Sequence, residues 1–362
     1  MTDLNPPRRL HAAGQSLWLD NITRDLLDGG GLARYINDLG ITGLTSNPTI
    51  YDRAISGSTD YDDDIDRCLR QGMSPEATFF DLALSDLRRA ADCFAPVHQL
   101  TGGVDGYVSL EVSPLLAYDT EATVREARRL HALGGKPNLF IKIPGTPAGL
   151  AAVEEVISSG VPVNVTLLFS PDHYLACMEA YTRGVERRVE AGQPAFVPSV
   201  ASVFISRWDA AASPDVPEDL RNKLGLLIGR RAYAEYRRFF ASDRWQRLLN
   251  TGARPQRLLF ASTGTKDPSA PDDLYVAGLA APHTVNTMPE ETLLSYAAHG
   301  RFGALLSPHT AGDERLLDAF TAAGIDIDLL GETLQSKGAA SFVASWTAML
   351  ARISAKAAEA HP

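Results

Sequence analysis

Short apolar runs rich in β-branched residues recur along the chain, separated by longer stretches whose apolar positions have helical spacing. The runs are five to nine residues long and end at turn-forming residues, which is typical of β-strands. The eight predicted strands are residues 16–20, 40–45, 106–112, 138–144, 161–169, 196–204, 257–262 and 283–288. Strands that alternate with helices in this way indicate parallel βα units.

Start and stop signals place helices between the predicted strands. Ser74-Pro75, Thr146-Pro147 and Ser170-Pro171 each combine an N-cap residue with a proline at the first helical position. The apolar face of the first of these helices is formed by Phe80, Leu84, Leu87 and Ala91. Residues 120–133 form another helix, closed by Gly134-Gly135. Residues 205–256 are predicted to be a helical insertion, including a helix over 220–240, and residues 290–362 to be mostly helical, with an amphipathic stretch at 342–358.

Eight strands with helices between them favour an α/β fold, a closed (β/α)8 or TIM barrel with additional helices. A doubly wound open sheet is the competing architecture, but it usually carries a phosphate loop or a GxGxxG motif after an early strand, and the sequence has neither. The run 29–31 of three glycines follows a helical stretch, so a helix end or turn explains it. Without a repeat or linker, residues 1–362 are predicted to form one domain.

Composition narrows the classes of protein that fit. The chain has 362 residues, 45% of them apolar, and a net charge of −10, which argues against a nucleic-acid partner. No block of basic residues suits an anionic membrane, no apolar stretch approaches 18 residues, and residues 1–14 lack a signal-peptide core. Cys68, Cys93 and Cys177 have no metal-binding spacing and are predicted to be buried free thiols. We therefore expect a cytoplasmic protein, a monomer or a homodimer, without membrane or nucleic-acid partners.

Lys142 lies in the middle of an apolar predicted strand, in a chain with only six lysines against 28 arginines. An unpaired buried ammonium group costs several kcal/mol, and loss of the proton removes that cost. A neutral amine is a nucleophile toward carbonyl groups, so Lys142 is a candidate Schiff-base lysine. The alternative is a structural lysine that reaches solvent or forms an ion pair.

Polar side chains lie near the C-terminal end of seven predicted strands, where barrel enzymes place their chemistry. In chain order these residues are Asp20, Asn47, Glu111, Lys142, Asn164, Thr166, Ser202, Arg207, Ser262 and Lys266. Together they supply carboxylates, an amine, amides, hydroxyls and two cations, which is the set that ketose chemistry through an amine requires.

Each of these residues also has a structural interpretation. Asp20 suits the N-cap of a helix, Asn47 a turn before proline, and Glu111 an outward position on its strand. Asn164 and Thr166 share one strand face and could hold the register of a sheet. The two later cations could form surface ion pairs or be solvated. The joint occurrence of all ten residues at one end of a barrel favours an active site.

A metal-dependent reaction is the chemical alternative. It would require clustered ligands, but the eight histidines are scattered without metal-binding spacing. We therefore predict neither a metal site nor a cofactor.

Two segments resemble the signatures of the transaldolases. Residues 139–150, LFIKIPGTPAGL, resemble the segment that carries the active lysine, and residues 43–51, GLTSNPTIY, resemble the Thr-Ser-Asn-Pro signature. Further similar stretches are residues 16–22, 109–112, 164–170 and 261–266, so that the similarity covers roughly residues 5–355. Leu44 and Tyr51 are less common choices at their positions in the signature.

The resemblance implies a dihydroxyacetone-transferring enzyme of the pentose phosphate pathway that acts on sugar phosphates. It assigns the Schiff base to Lys142, the general acid/base to Asp20 and the positioning of a catalytic water to Glu111 and Thr166. The implied substrate-binding residues are Asn47 and Asn164 for donor hydroxyls, Arg207 and Ser262 for phosphate, and Ser202. Lys266 is expected to replace an arginine that the family places at a slightly different offset.

Two other functions stay open at this point. The first is a fructose-6-phosphate aldolase, a smaller relative that tends to carry tyrosine where this chain has Phe204. That relative also lacks long helical insertions, so both features favour transaldolase. The second is a non-enzymatic barrel that binds sugar phosphates or a partner protein. An intact pair of carboxylate and amine argues against the second possibility.

Overall fold

A computed structural model describes residues 4–212, 215–310 and 312–359, and the side chains as far as residue 356. Eight parallel strands close into a barrel in the order in which they occur in the chain. They are β1 (Ser16–Leu19), β2 (Gly43–Leu44), β3 (Tyr107–Glu111), β4 (Leu139–Pro144), β5 (Val163–Leu168), β6 (Ser199–Phe204), β7 (Arg257–Ala261) and β8 (Val285–Met288). The predicted (β/α)8 fold is therefore confirmed.

The second strand is shorter than its sequence pattern predicts. Residues Tyr35–Leu39 form a π-helical turn that ends at Gly40, whose φ of 73° lies in the left-handed region. Pairing with the neighbouring strands begins only at Gly43. A Cβ atom at Gly43 would come within 2.6 Å of the indole nitrogen of Trp18, so only glycine lets the strand pass this ring.

Helices surround the barrel and close both of its ends. The helices are α1 (Pro6–Ala12), α2 (Arg24–Asp28), α3 (Gly31–Arg34), α4 (Pro48–Gly57), α5 (Asp62–Arg70), α6 (Pro75–Leu100), α7 (Thr120–Gly134), α8 (Pro147–Ser158), α9 (Pro171–Glu190), α10 (Ser206–Ala212), α11 (Leu224–Phe240), α12 (Asp243–Leu249), α13 (Leu274–Gly278), α14 (Glu290–His299), α15 (Asp313–Ala322) and α16 (Ile327–Glu359). The division of the chain into domains stays a prediction.

Capping explains where many of these helices begin. The side chains of Ser74, Thr146 and Ser170 accept hydrogen bonds from backbone N–H groups in the first turns of α6, α8 and α9, as predicted. Asp20 does not cap a helix, because Thr23 caps α2. The carboxylate of Asp20 is thus not required to hold this helix end.

The last helix, α16, packs against α4, α5, α6 and α10 and against β5, which places it across the C-terminal end of the barrel. The prediction that residues 290 onward are mostly helical is confirmed, and the stretch predicted to be amphipathic, 342–358, is the later part of a helix that begins at Ile327. The side chain of Gln335 donates hydrogen bonds to the carbonyl oxygens of Gly145 (3.1 Å) and Leu167 (2.9 Å), directly behind β4 and within β5. This helix therefore fixes the ends of two strands that carry candidate site residues.

Two findings concern the expected environment of the protein. All three cysteines are free, and Cys68 and Cys177 are buried, but Cys93 is exposed because it lies on the solvent side of α6. The prediction that all three thiols are buried is therefore wrong for Cys93. In the described ranges, no helix is long and apolar enough to cross a membrane.

Candidate active site

The amino group of Lys142 lies inside the barrel. Lys142 is adjacent to Glu111 in the β3–β4 register. Glu111 shares its strand face with Ser109, whose hydroxyl accepts a hydrogen bond from Asn164 of the non-adjacent strand β5, so this face points into the barrel. The Nζ atom donates to the carbonyl oxygen of Ser46 at 3.0 Å and lies 3.2 Å from Oε2 of Glu111. Lys142 as a residue is only 5% exposed, so it does not reach bulk solvent, whereas the ion pair named as the other structural alternative is present, with Glu111.

Glu111 is a buried carboxylate whose charge is balanced mainly by one ion pair, with Lys142. Burial raises the pKa of Glu111, and the nearby carboxylate of Asp20 adds to this effect, whereas Lys142 opposes it. Among the described residues, neither carboxylate oxygen accepts a hydrogen bond of good geometry. Lys142 at 3.2 Å is thus its close charged neighbour, which rules out the outward-facing interpretation.

Asp20 follows β1 and faces the same cavity as Lys142. Its Oδ1 atom accepts a hydrogen bond from the hydroxyl of Thr45 at 2.7 Å, and that hydroxyl lies 2.7 Å from the hydroxyl of Thr287 on β8. Burial raises the pKa of Asp20, although Lys142 and the hydrogen bond from Thr45 both act to lower it. A carboxylate that gains and loses a proton above its ordinary range suits general acid/base catalysis.

Thr166 lies at an irregularity of β5. The register of β5 against β6 shifts between Val165 and Leu168, and Leu167 has a φ of 58°, which marks a β-bulge. The hydroxyl of Thr166 is buried, lines the cavity and has no hydrogen-bond partner among the described residues. A buried hydroxyl without a partner is costly in a finished core, so it is available for a substrate or a water molecule.

Asn164 lies one layer below this hydroxyl. Its Nδ2 atom donates to the hydroxyl of Ser109 at 3.1 Å, and its Oδ1 atom accepts from the hydroxyl of Ser202 at 2.7 Å. Asn164 and Glu111 are absent from the cavity lining, whereas Ser202 contributes to it. The amide of Asn164 therefore connects β3, β5 and β6 and supports the cavity from beneath.

The cavity at the C-terminal end of the barrel has a volume of about 230 Å³. It is lined by Asp20, Thr45, Asn47, Thr49, Ile50, Arg53, Lys142, Thr166, Ser202, Phe204, Arg207, Ala261, Ser262, Gly264, Lys266, Thr287, Pro289 and Phe342. Eight of the ten residues predicted from the sequence are in this set, the exceptions being Asn164 and Glu111. Asn47 also caps α4 through its Oδ1 atom, which leaves its amide nitrogen for other contacts.

Three cations besides the amine line the outer part of this cavity. Arg207 stacks near two aromatic rings, with its guanidinium carbon 5.0 Å from the ring centre of Phe204 and 5.9 Å from that of Phe342. Burial lowers the pKa of Arg207, and Asp20 and Glu111 oppose this shift, yet an arginine stays charged. Within the described ranges, no carboxylate forms an ion pair with Arg207, Arg53 or Lys266, so these charges remain for an anion.

Ser262 belongs to the same outer part of the cavity. Its φ of 54° is unusual for serine, and its hydroxyl lies 3.0 Å from that of Ser206 at the start of α10. Strained backbone of this kind is often found at ligand sites.

Ten residues of this lining were not among the predicted site residues, and four of them charge the cavity, hold its carboxylate or cover it: Arg53, Thr45, Thr287 and Phe342. Arg53 lies on α4 with Thr49 and Ile50 at helical spacing behind Asn47, so this periodicity could have revealed it. Thr45 and Thr287 gained their importance only from the closure of the barrel between β1, β2 and β8. Phe342 has no local signal, because only the path of α16 brings it over the barrel.

Together these groups can perform carbonyl chemistry. An amine, a carboxylate with raised pKa and cations for an anionic group face one small cavity, whereas the described residues contain no cluster of potential metal ligands. The fold and the site thus define a (β/α)8-barrel site suited to reactions of an anionic ketone with an amine.

Comparison with known proteins agrees with this class. The sequence profile of the family described as Transaldolase/Fructose-6-phosphate aldolase matches residues 17–353. A transaldolase of Acidothermus cellulolyticus is 45% identical over 361 residues, which cover 98% of this chain and 96% of the relative. Transaldolases of Neisseria gonorrhoeae and Mycolicibacterium smegmatis are 41% and 42% identical, each over 94% of this chain and over 97% and 94% of the relatives. The chain therefore belongs to the transaldolase/fructose-6-phosphate aldolase family, and it is an enzyme, a transferase of the transaldolase type.

Proposed function

We propose that this enzyme transfers a dihydroxyacetone unit from sedoheptulose 7-phosphate to glyceraldehyde 3-phosphate, which yields erythrose 4-phosphate and fructose 6-phosphate. The observation that carries the proposal is the position of the Lys142 amine in one cavity with Asp20 and with Arg207, which offers a charge for the phosphate. The reaction belongs to the pentose phosphate pathway and requires no cofactor.

In the first half-reaction, the Lys142 amine attacks the C2 ketone of the donor, and loss of water gives a protonated imine. Asp20 then accepts the proton of the C4 hydroxyl while the C3–C4 bond breaks and its electrons pass toward the imine. The aldose phosphate leaves, and the three-carbon unit stays on Lys142. In the second half-reaction, this unit attacks the aldehyde of the acceptor, Asp20 returns the proton, and water releases the ketose.

The remaining site residues orient the reactants. Glu111 and the unpartnered hydroxyl of Thr166 position the water that forms and hydrolyses the imine. Asn47 binds donor hydroxyls through its free amide nitrogen, and Ser202 contributes a further polar contact. Asn164 holds Ser202 through a 2.7 Å hydrogen bond, so its role in donor binding is indirect.

Arg207, Ser262 and Lys266 bind the phosphate group. Arg207 offers a planar pair of donors, whereas Lys266 acts as a point charge. Arg53, on the opposite side of the cavity lining, adds a fourth contact of this kind. A cytoplasmic location and a monomeric or homodimeric state complete the proposal, since sugar phosphates are cytoplasmic metabolites.

The alternative within the family is an aldolase that releases free dihydroxyacetone. At the position where such aldolases tend to carry tyrosine, this chain has Phe204. Its ring centre lies 5.3 Å from that of Phe169, and it has no hydroxyl that could hold a water molecule or transfer a proton. This apolar wall favours transfer over hydrolysis. Cleavage of fructose 6-phosphate without an acceptor is therefore expected to be slow, and rapid acceptor-free turnover would reject transaldolase in favour of aldolase.

Trapping of the covalent intermediate tests the mechanism. After incubation with fructose 6-phosphate and reduction with borohydride, tryptic digestion is expected to give one peptide that spans residues 130–183 and carries the reduced three-carbon unit. The reason is that trypsin does not cleave a modified Lys142, and no other cleavage site occurs between residues 143 and 182. Lys266 is the matched control, since it is the other lysine of the cavity. A label on Lys266, or no label, would contradict the proposal.

A further inference from the structure

A second cavity lies at the N-terminal end of the barrel, opposite the candidate active site. Its volume is about 600 Å³, compared with about 230 Å³ for the catalytic cavity. Cavities that bind small organic ligands typically measure about 300–1,000 Å³. Loops that precede β1, β3, β6, β7 and β8 surround this N-terminal cavity, and the last turns of α11 cover it. The mechanism proposed above uses none of its residues.

Five aromatic side chains contribute to the walls of the N-terminal cavity. Tyr107, Phe140, Phe196, Tyr236 and Phe240 all belong to its lining. Tyr107 and Phe140 are stacked with their ring centres 4.2 Å apart, and the hydroxyl of Tyr107 donates inward to the carbonyl oxygen of Gly103. The tyrosine hydroxyl is therefore satisfied within the protein. These rings give the cavity an apolar lining, which suits a ligand with an aromatic body.

The charge of this cavity is opposite to that of the whole protein. Its lining contains Arg237, Arg254 and Arg257 but only one carboxylate, Asp105, in a chain of net charge −10. Asp105 lies 3.6 Å from Arg257, which also donates to the hydroxyl of Ser16, so these two charges compensate each other. The excess positive charge therefore belongs to Arg237 and Arg254.

Neither of these two guanidinium groups forms an ion pair with a described residue. Arg254 donates one hydrogen bond to the carbonyl oxygen of Gly102 at 2.9 Å and lies over the ring of Phe196 at 4.4 Å. Arg237 donates one hydrogen bond to the hydroxyl of Tyr233 at 3.1 Å. An arginine has five N–H donors, so each retains donors that can bind an anionic group in the fork geometry of guanidinium.

We propose that the N-terminal cavity binds a small anion with a flat aromatic body. The rings pack among the aromatic side chains, and the anionic group, a sulfonate, carboxylate or phosphate, is bound by Arg237 and Arg254. The site is separate from the catalytic cavity, so both are occupied at the same time. This proposal does not depend on the substrate of the enzyme.

A pair of matched dyes tests it in solution. The probe is 8-anilinonaphthalene-1-sulfonate, and the control is N-phenyl-1-naphthylamine, which has the same rings without the charge. Binding of each is measured by fluorescence titration of the full chain. Arg237→Gln/Arg254→Gln is expected to weaken binding of the sulfonate at least about tenfold, equivalent to about 1.4 kcal/mol, and to leave binding of the neutral dye within about twofold.

Three further variants distinguish this site from other sources of binding. Arg237→Lys/Arg254→Lys keeps the charges and should restore most of the affinity for the sulfonate. Arg207→Gln removes a cation of the catalytic cavity, and Arg34→Gln/Arg315→Gln removes two exposed charges outside both cavities; neither should change the affinity. Equal weakening of both dyes, unchanged binding in Arg237→Gln/Arg254→Gln, or weakening in Arg207→Gln would overturn the proposal.

Discussion

The two ends of the barrel each bury a carboxylate, but the hydrogen bonding of the two carboxylates differs. At the N-terminal end, Asp105 accepts hydrogen bonds from the indole of Trp18 (2.8 Å), the backbone N–H of Gly106 (3.1 Å) and the hydroxyl of Ser16. At the C-terminal end, Glu111 accepts no well-formed hydrogen bond from the described residues and has Lys142 3.2 Å away. A buried carboxylate with three hydrogen bonds is stabilised in one structure, whereas the charge of Glu111 depends mainly on its ion pair with the Lys142 amine.

Backbone strain does not follow this division. Ser262 and Leu167 adopt left-handed φ angles near the catalytic cavity, where Gln335 of the C-terminal helix donates to Leu167, but His283 in the lining of the N-terminal cavity also has a left-handed φ of 64°. The difference between the two ends therefore lies in the hydrogen bonding of their buried carboxylates. If this division is correct, substitutions at the C-terminal end should change activity, and substitutions at the N-terminal end should change stability.

Lys142→Arg is expected to have the largest effect. Arginine keeps a positive charge beside Glu111, so the fold should survive, but a guanidinium group cannot form a Schiff base. We expect the transfer rate to fall at least about 10³-fold, as for loss of other catalytic nucleophiles, with little change in the melting temperature. Steady-state kinetics and thermal denaturation measure the two quantities. Lys266→Arg is the control. If the activity of Lys142→Arg stays within tenfold of wild type, Lys142 is not the catalytic amine and the C-terminal end is not distinguished by its chemistry.

Asp20→Asn should come next, with a loss of about 10²- to 10⁴-fold in kcat/KM, because the amide cannot transfer the proton. In the wild type, burial raises the pKa of Asp20, so kcat/KM should decline on acidification at a pH above the ordinary aspartate value of about 3.9. The rate declines on acidification because Asp20 must be ionised to accept a proton from the substrate. If the same decline persists in Asp20→Asn, another group controls it.

Thr45→Val refines this assignment. The hydrogen bond from Thr45 stabilises the ionised carboxylate and lowers its pKa, so its removal should raise the pKa of Asp20 further. The acidic decline in kcat/KM should then move to higher pH, which a pH–rate profile records. A shift to lower pH would show that the carboxylate is not governed by this hydrogen bond.

Asp105→Asn tests the other end of the barrel. The substitution removes the charge that faces Arg257 and disturbs hydrogen bonds from Ser16 or Trp18. We expect the free energy of unfolding to decrease by about 1–3 kcal/mol, with kcat/KM of the folded enzyme unchanged. Urea denaturation followed by tryptophan fluorescence measures this effect. Loss of activity at full stability would show that the two ends do not divide the roles as described.

Arg53→Gln is expected to have the smallest effect. Arg53 is exposed at the edge of the catalytic cavity, and an exposed charge contributes up to about 1 kcal/mol. The KM for glyceraldehyde 3-phosphate should rise by about fivefold, while kcat and the KM for unphosphorylated glyceraldehyde stay unchanged. An equal change for both acceptors would mean that Arg53 does not contact phosphate.

Much of the fold could be predicted because local sequence patterns indicate its strands and helices. The eight apolar runs coincide with the eight strands, and the Ser-Pro and Thr-Pro pairs mark the helix starts. Boundaries were less predictable: the π-helical turn before Gly40 shortens β2, and it has no signal within the strand itself. The helical character of residues 290–362 was predicted, but the start of α16 at Ile327 was not.

The sequence by itself determined which groups are available to the site. A lysine within an apolar strand, carboxylates at strand ends and two family signatures are local features, so they could be read without coordinates. The tertiary structure decided how these groups act, because the pKa of Asp20 and of Glu111 depends on burial and on neighbours from other strands. It also decided that Asn164 supports the cavity from beneath and that Phe342 covers it, since closure of the barrel and the path of α16 bring together residues that are distant in the chain.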